Sequence, residues 1–215
     1  MDRRIALKNM GLALGYTVAT PTLISIVQSC QADKALEWTP DFFSKDEGAM
    51  ITHLVDIILP KTDTPSATEV QVNLFIDRFI DQVMEKEQQD FVKMISGKFL
   101  ERALKASGKE KGTELSAEDL EPLLASTLSI SKEQAQGYEE AVGEFMEAMA
   151  TGEAVELDDA AARYAFASNL RNMTIWGYKA SEYVGEEVLA YLPVPGEYIA
   201  CGDLNELSGG KAWSI

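Results

Sequence analysis

Four times in this chain a serine stands three residues ahead of an acid or a glutamine, close before an apolar run. The four are Ser44-Lys45-Asp46-Glu47, Ser66-Ala67-Thr68-Glu69, Ser116-Ala117-Glu118-Asp119 and Ser131-Lys132-Glu133-Gln134. A serine that accepts the N–H three residues on, with an acid reaching back to the serine N–H, is a capping box and starts a helix. Behind Ser44, Met50, Ile51, Leu54, Val55 and Ile58 recur at helical spacing, and Pro60 ends the run. Behind Ser66, Val72, Phe75, Ile76, Phe79, Ile80 and Val83 do the same. Phe91, Met94, Ile95, Phe99 and Leu104 form a third stripe, with Gly108 and Gly112 as stops. Leu120, Leu123 and Leu124 mark a short fourth helix. Ala135, Tyr138, Val142, Phe145, Met146 and Met149 mark a fifth. A long sixth runs from Asp158 to Tyr178 with Tyr164, Phe166, Leu170, Met173 and Trp176. No stretch alternates apolar and polar residues as a strand would. These patterns predict an all-α, single-domain helical bundle over residues 44–215. Its last forty or so residues turn Tyr-, Pro- and Gly-rich and read as an irregular aromatic tail.

The first thirty residues follow different rules. Arg3 and Arg4 open a short basic start, and an apolar, glycine-containing segment runs from Met10 to Ile26. It ends at Val27-Gln28-Ser29-Cys30. This is the layout of a twin-arginine export signal over residues 1–29, closed by a lipoprotein-type box. Ala6 and Gln28 depart from the usual occupants of their places. A membrane-spanning helix is the alternative, but Gly11, Gly15, Thr17, Thr20, Pro21, Thr22 and Ser25 make the segment weakly apolar for one. The expectation is a chain exported to the periplasmic side of a membrane and lipid-anchored through Cys30, with residues 30–43 as tether. The twin-arginine route carries folded proteins, so the chain is expected to leave the cytosol already assembled with a partner.

Charge excludes one class of partner. The chain carries −16, and residues 1–29 hold Arg3, Arg4, Lys8 and Asp2, so the mature chain carries −18. Such a surface repels nucleic acid and anionic lipid headgroups. With Cys30 lipidated, Cys201 has no partner within the chain. It is either a buried small residue or available to pair with another subunit.

The handles of independent chemistry are missing from the sequence. There is no Cys-x-x-Cys-His for covalent haem, no Gly-x-Gly-x-x-Gly and no Walker A loop. A di-iron bundle needs two Glu-x-x-His pairs, but the chain has one histidine, His53, and position 50 is Met. One histidine and one remaining cysteine do not make a structural zinc site. His53 sits between Met50 and Ile57 with no oriented partner visible in sequence, as a packing or surface residue would. The acid pairs Glu139-Glu140, Asp158-Asp159 and Glu186-Glu187 are adjacent, so their members point to different helix faces. No catalytic, cofactor-binding or metal-binding residue is therefore assigned in this chain.

Three stretches carry a family resemblance. Ile58-Leu59-Pro60-Lys61-Thr62-Asp63-Thr64-Pro65-Ser66-Ala67 with Phe75-Ile76-Asp77 is one. Gly177-Tyr178-Lys179-Ala180-Ser181-Glu182-Tyr183-Val184-Gly185 is the second, and Tyr191-Leu192-Pro193-Val194-Pro195-Gly196-Glu197-Tyr198-Ile199-Ala200-Cys201 the third. Together with the twin-arginine start, they resemble the small third subunit of gluconate 2-dehydrogenases. From about Glu85 to Val155 the likeness is of helices only. The resemblance implies a non-catalytic accessory subunit that aids assembly and export of a large GMC-type flavoprotein oxidising a sugar or polyol. It implies FAD in that partner and haem c in a cytochrome c subunit, with no cofactor in this chain. A lipoprotein cysteine is not general in the family, so Cys30 would make this member itself the anchor. The aromatic tail is rich in residue types favoured at interfaces, which nominates Tyr191, Tyr198, Cys201 and Trp213 as partner contacts. The alternative is that the tail wraps its own bundle and buries those rings. A stand-alone helical lipoprotein acting as a binding or adaptor module is the competing function.

Overall fold

The Ser44 hydroxyl accepts the Glu47 N–H at 3.3 Å, and the Glu47 carboxylate accepts the Ser44 N–H at 3.0 Å. The first capping box is thus formed as the sequence predicts, and helix α1, Lys45–Ile58, starts on it. The computed structural model describes residues 38–214, except 154, 193, 195, 197, 198 and 200. Those from Thr39 onward form one compact unit. The export signal, Arg3, Arg4 and Cys30 lie outside the described residues.

After α1 come α2 (Val72–Val83), α3 (Lys86–Ser107), a 3-10 turn (Gly112–Glu114), α4 (Ala117–Leu128), α5 (Lys132–Thr151) and α6 (Asp159–Ala180). A π-helical turn, Val184–Val188, and a short α7, Leu204–Ser208, complete the order. The described residues contain no strand, and the fold is all-α. Gly108 and Gly152 end α3 and α5 in the left-handed conformation, at φ 71° and 77°, which costs glycine no Cβ clash.

One expected helix start moves. The Ser66–Glu69 pattern does close: the Glu69 carboxylate accepts the Ser66 N–H at 2.9 Å. Yet α2 begins only at Val72, after Gln71 takes a left-handed φ of 60°. Asp56 on α1 explains the difference. Its carboxylate accepts the Thr68 N–H at 2.8 Å and the Thr68 hydroxyl at 2.6 Å. The turn is thereby tied to α1, and the chain must turn again before α2 can leave.

Helix α6 is the axis of the bundle and packs on α1, α2, α3, α4 and α5. The sequence supplies it with Ala161, Ala162, Ala165 and Ala167, all buried, so neighbours approach closely from several sides. Larger residues fill the gaps. Phe99 of α3 meets Phe166 of α6 at 4.9 Å between ring centres, and Tyr138 of α5 meets Tyr164 at 5.6 Å. Met50, Ile51, Leu54 and Val55 of α1 are fully enclosed. Each such side chain contributes about 1.5–3 kcal/mol through burial.

The tether ends earlier than expected. Phe43 is buried in the core and Phe42 packs against it. The Asp77 carboxylate on α2 accepts three successive backbone N–H groups, from Asp41 at 2.6 Å, Phe42 at 3.2 Å and Phe43 at 3.0 Å. Residues 41–43 therefore belong to the packed unit, held by an acid that is itself fully buried.

Candidate partner interface

The last turn of α6 carries Tyr178, whose hydroxyl donates to the Pro65 carbonyl at 2.8 Å. One residue earlier, Gly177 faces Phe75 so closely that a Cβ would stand 2.6 Å from the ring. Trp176 lies edge-on to Phe75 and Phe79, at 4.9 and 5.0 Å. The loop Pro60–Pro65 is thus braced against α6. Trp176 packs on its own bundle with part of its surface and leaves the rest in solvent.

Among the described residues beyond Tyr178, Val184 is the one buried hydrophobic, and it lies outside the main core cluster. The chain instead makes a closed excursion. Ala190 N–H donates to the Ala212 carbonyl at 2.8 Å, and Ser214 N–H donates to the Ala190 carbonyl at 2.9 Å. This parallel bridge pairs Ala190 with Trp213 and seals a loop between them. Lys211 reinforces it by donating to the Glu187 carbonyl at 3.3 Å. Inside the loop, Asp203 caps α7 through the N–H groups of Asn205 and Glu206, and Gly209 ends it in the left-handed region.

This loop holds its apolar side chains in solvent. Tyr191 is 51% exposed, Val194 77% and Trp213 45%, with Leu192, Ile199 and Leu204 also exposed. Tyr191 and Trp213 are thus about half exposed and not enclosed in the bundle as the self-wrapping alternative would have them. The backbone bridge brings Tyr191 and Trp213 to the mouth of the loop, while Cys201 lies within it. Cys201 is a free, exposed thiol, which removes the buried-residue alternative. Tyr198 lies outside the described residues.

Elsewhere the polar groups do structural work. The Glu47 carboxylate accepts from the Ser96 hydroxyl at 2.6 Å and from the Lys93 ammonium at 3.0 Å, joining α1 to α3. Burial pushes this carboxyl up, but hydrogen bonds from Ser96, Ser44 and Lys93 outweigh it and hold the group below its ordinary value. His53 is half-buried on α1, and no hydrogen bond to an acid orients it among the described residues. No group of three or more His, Cys, Asp or Glu gathers as a metal site among them. No described helix is long and apolar enough to cross a membrane. Sequence reasoning missed Asp77 and the Lys93–Glu47 pair as organising residues; only their surroundings, an acid within an apolar stripe and a capping box, were legible.

The fold and this surface define a small all-α subunit that presents a sealed, apolar C-terminal loop. The chain belongs to the gluconate 2-dehydrogenase subunit 3 family, whose model matches residues 45–196. That span runs from the first residue of α1 to Gly196 and includes the helices from Glu85 to Val155. Cys201, α7 and Trp213 follow it. By name, the family is one subunit of a dehydrogenase complex. No curated protein and no solved structure matches the chain.

Proposed function

We propose that this chain is the non-catalytic accessory subunit of a membrane-associated, flavin-dependent sugar or polyol dehydrogenase complex. Family membership supports the complex. The observation that carries the role is the sealed loop: its apolar side chains stand in solvent and contribute nothing to the chain's own core. A surface of that kind on a soluble bundle is a contact surface awaiting another protein.

In this reading the large partner is a GMC-type flavoprotein that holds FAD, and a cytochrome c subunit with haem c takes the electrons. Tyr191, Tyr198, Cys201 and Trp213 contact the flavoprotein. The small subunit aids its assembly and travels with it through the twin-arginine route, directed by Arg3 and Arg4. Cys30 then carries the lipid that anchors the complex on the periplasmic side of a membrane. The basis for export and anchoring is the signal layout of residues 1–30.

The test is affinity purification of the tagged chain from native membranes, followed by an absorbance spectrum. A flavin or haem band co-purifying with the chain is the expected result. A colourless single chain would overturn the proposal and favour a stand-alone binding lipoprotein.

A further inference from the structure

The acidic chain concentrates cations in one groove between α3 and α6. Lys98, Arg102 and Lys105 fall at i, i+4 and i+7 on α3, so they share one face. Arg163 joins them from the second turn of α6. Together with Glu101 and Asp159 they line a cavity of about 160 Å³. Four cations thus face two carboxylates in a protein whose overall charge is −16.

One observation separates this groove from an ordinary solvated face: internal pairing does not use up its charge. Lys98 is ion-paired with Asp159, whose charge also acts on Arg163, but no acid lies within ion-pair distance of Arg102, Lys105 or Arg163 among the described residues. The N-terminal end of α6 is already met by Asp158 and Asp159, so the site rests on the side-chain cations. A bound anion would offset their unpaired charge. Two guanidinium groups beside two ammonium groups suit a multivalent oxyanion, since each guanidinium can donate a pair of parallel N–H bonds. The groove is open to solvent on one side and has room for one such group.

We propose that this groove is a binding site for a phosphate group, held by Arg102, Lys105 and Arg163, with Lys98 kept in position by Asp159. The group could be supplied by free phosphate or by a phospholipid headgroup, which present the same oxygens. The inference is independent of the sealed loop and of the redox partner.

The test uses the full chain at low ionic strength. Inorganic phosphate is titrated by calorimetry, and binding to phosphatidylglycerol vesicles is compared with binding to phosphatidylcholine vesicles. The double variant Arg102→Gln/Arg163→Gln is run beside the parent. Lys105→Gln, at an exposed position, serves as a second variant. Helical circular dichroism establishes that each is folded. Saturable phosphate binding that weakens at least about tenfold in the double variant supports the site with a soluble source. Selective binding to phosphatidylglycerol that is lost in the same variant supports it with a headgroup source. Absence of both, or binding that the variants leave unchanged, overturns it.

Discussion

Gly112 lies against the backbone of Asp46, so that a Cβ placed on it would stand 2.7 Å from the Asp46 Cβ and nearer still to its carbonyl oxygen. The contact docks the 3-10 turn after α3 onto the first turn of α1, and the Asp46 carboxylate accepts the Thr113 N–H at 3.0 Å to hold it there. Gly112→Ala therefore has to move backbone. It should destabilise the fold by about 1–3 kcal/mol, as overpacking does. Gly97→Ala is the matched control. Gly97 lies within α3, and its added Cβ would meet nothing within 4 Å. It should stabilise by about 0.5–1 kcal/mol. Thermal midpoints of the two variants should move in opposite directions. A shift of the same sign in both would dismiss the contact as unimportant.

Asp77 is the second structural commitment of the chain. Removing its carboxylate in Asp77→Ala strips an acceptor from three backbone N–H groups at residues 41–43. The loss should reach about 3 kcal/mol, since charged acceptors are worth more than neutral ones. Hydrogen exchange at Phe42 and Phe43 should accelerate well beyond that of α6. Unchanged protection at those two amides would show that the clamp is not what orders the segment.

Much of the helix layout was legible because it rests on local chemistry. Ser44 with Glu47, and Ser131 with the Gln134 N–H, act within one turn, and apolar spacing reports the buried face directly. What remained hidden depends on residues distant in sequence. Asp56 reaches Thr68 and delays α2; Asp77 reaches back to residues 41–43; Glu47 meets Lys93 and Ser96 on another helix. The central place of α6 was also hidden. Its alanines carry no conspicuous stripe, and they matter because small residues let several neighbours approach at once. In the tail, composition nominated Tyr191, Cys201 and Trp213, but only the Ala190–Trp213 bridge reveals how the loop is closed. The cationic groove needed Arg163 and Lys98 side by side, which no sequence spacing displays.

Acid should loosen the α1–α3 contact. Glu47 has its carboxyl held below the ordinary value in the fold. The stabilisation is then fully present above the ordinary glutamate range. It falls as pH drops below about 4.5 and is lost once pH passes the folded value. Asp119 extends the same trend: a hydrogen bond from the Lys109 ammonium, with others from Ser116, lowers it to about 2, though its exposure makes the contribution small. Urea midpoints measured from pH 6 to pH 3, a range of roughly the usual acid limb, should decline. Glu47→Gln should start lower at pH 6 and decline less steeply. Parallel curves for the variant and the parent would remove Glu47 as the source.

Anchoring is tested at Cys30. Cys30→Ala should abolish lipidation and the cleavage that depends on it, so the chain should leave the membrane fraction or keep its signal. Mass spectrometry of the native protein should find a mature terminus at Cys30 with added acyl mass. An unmodified chain that begins at Met1 would reject the anchor. Replacing Arg3 and Arg4 by lysine in the same background should hold the chain in the cytosol. Normal export of that variant would point to the general secretory route.

Truncation after Ala190 separates contact surface from core. Residues 191–214 supply nothing to the main core among the described positions, and the bridge they form to Ala190 involves only two backbone hydrogen bonds. The shortened chain should therefore keep the helical circular dichroism of α1–α6 and lose at most a few degrees in thermal midpoint. It should also lose the large partner, because Tyr191, Cys201 and Trp213 leave with the loop. Trp213→Ala is the milder form. The indole has nearly half its surface in solvent, so its loss should cost the free chain less than about 1 kcal/mol, while a buried aromatic anchor in a complex costs 2 kcal/mol or more. Stability and co-purification are measured on one sample. Collapse of the helical signal would make the loop a structural brace for the bundle. A folded truncation that still retains the partner would move the contact surface onto the helices, with the exposed face of Trp176 and Ile175 as the next place to mutate.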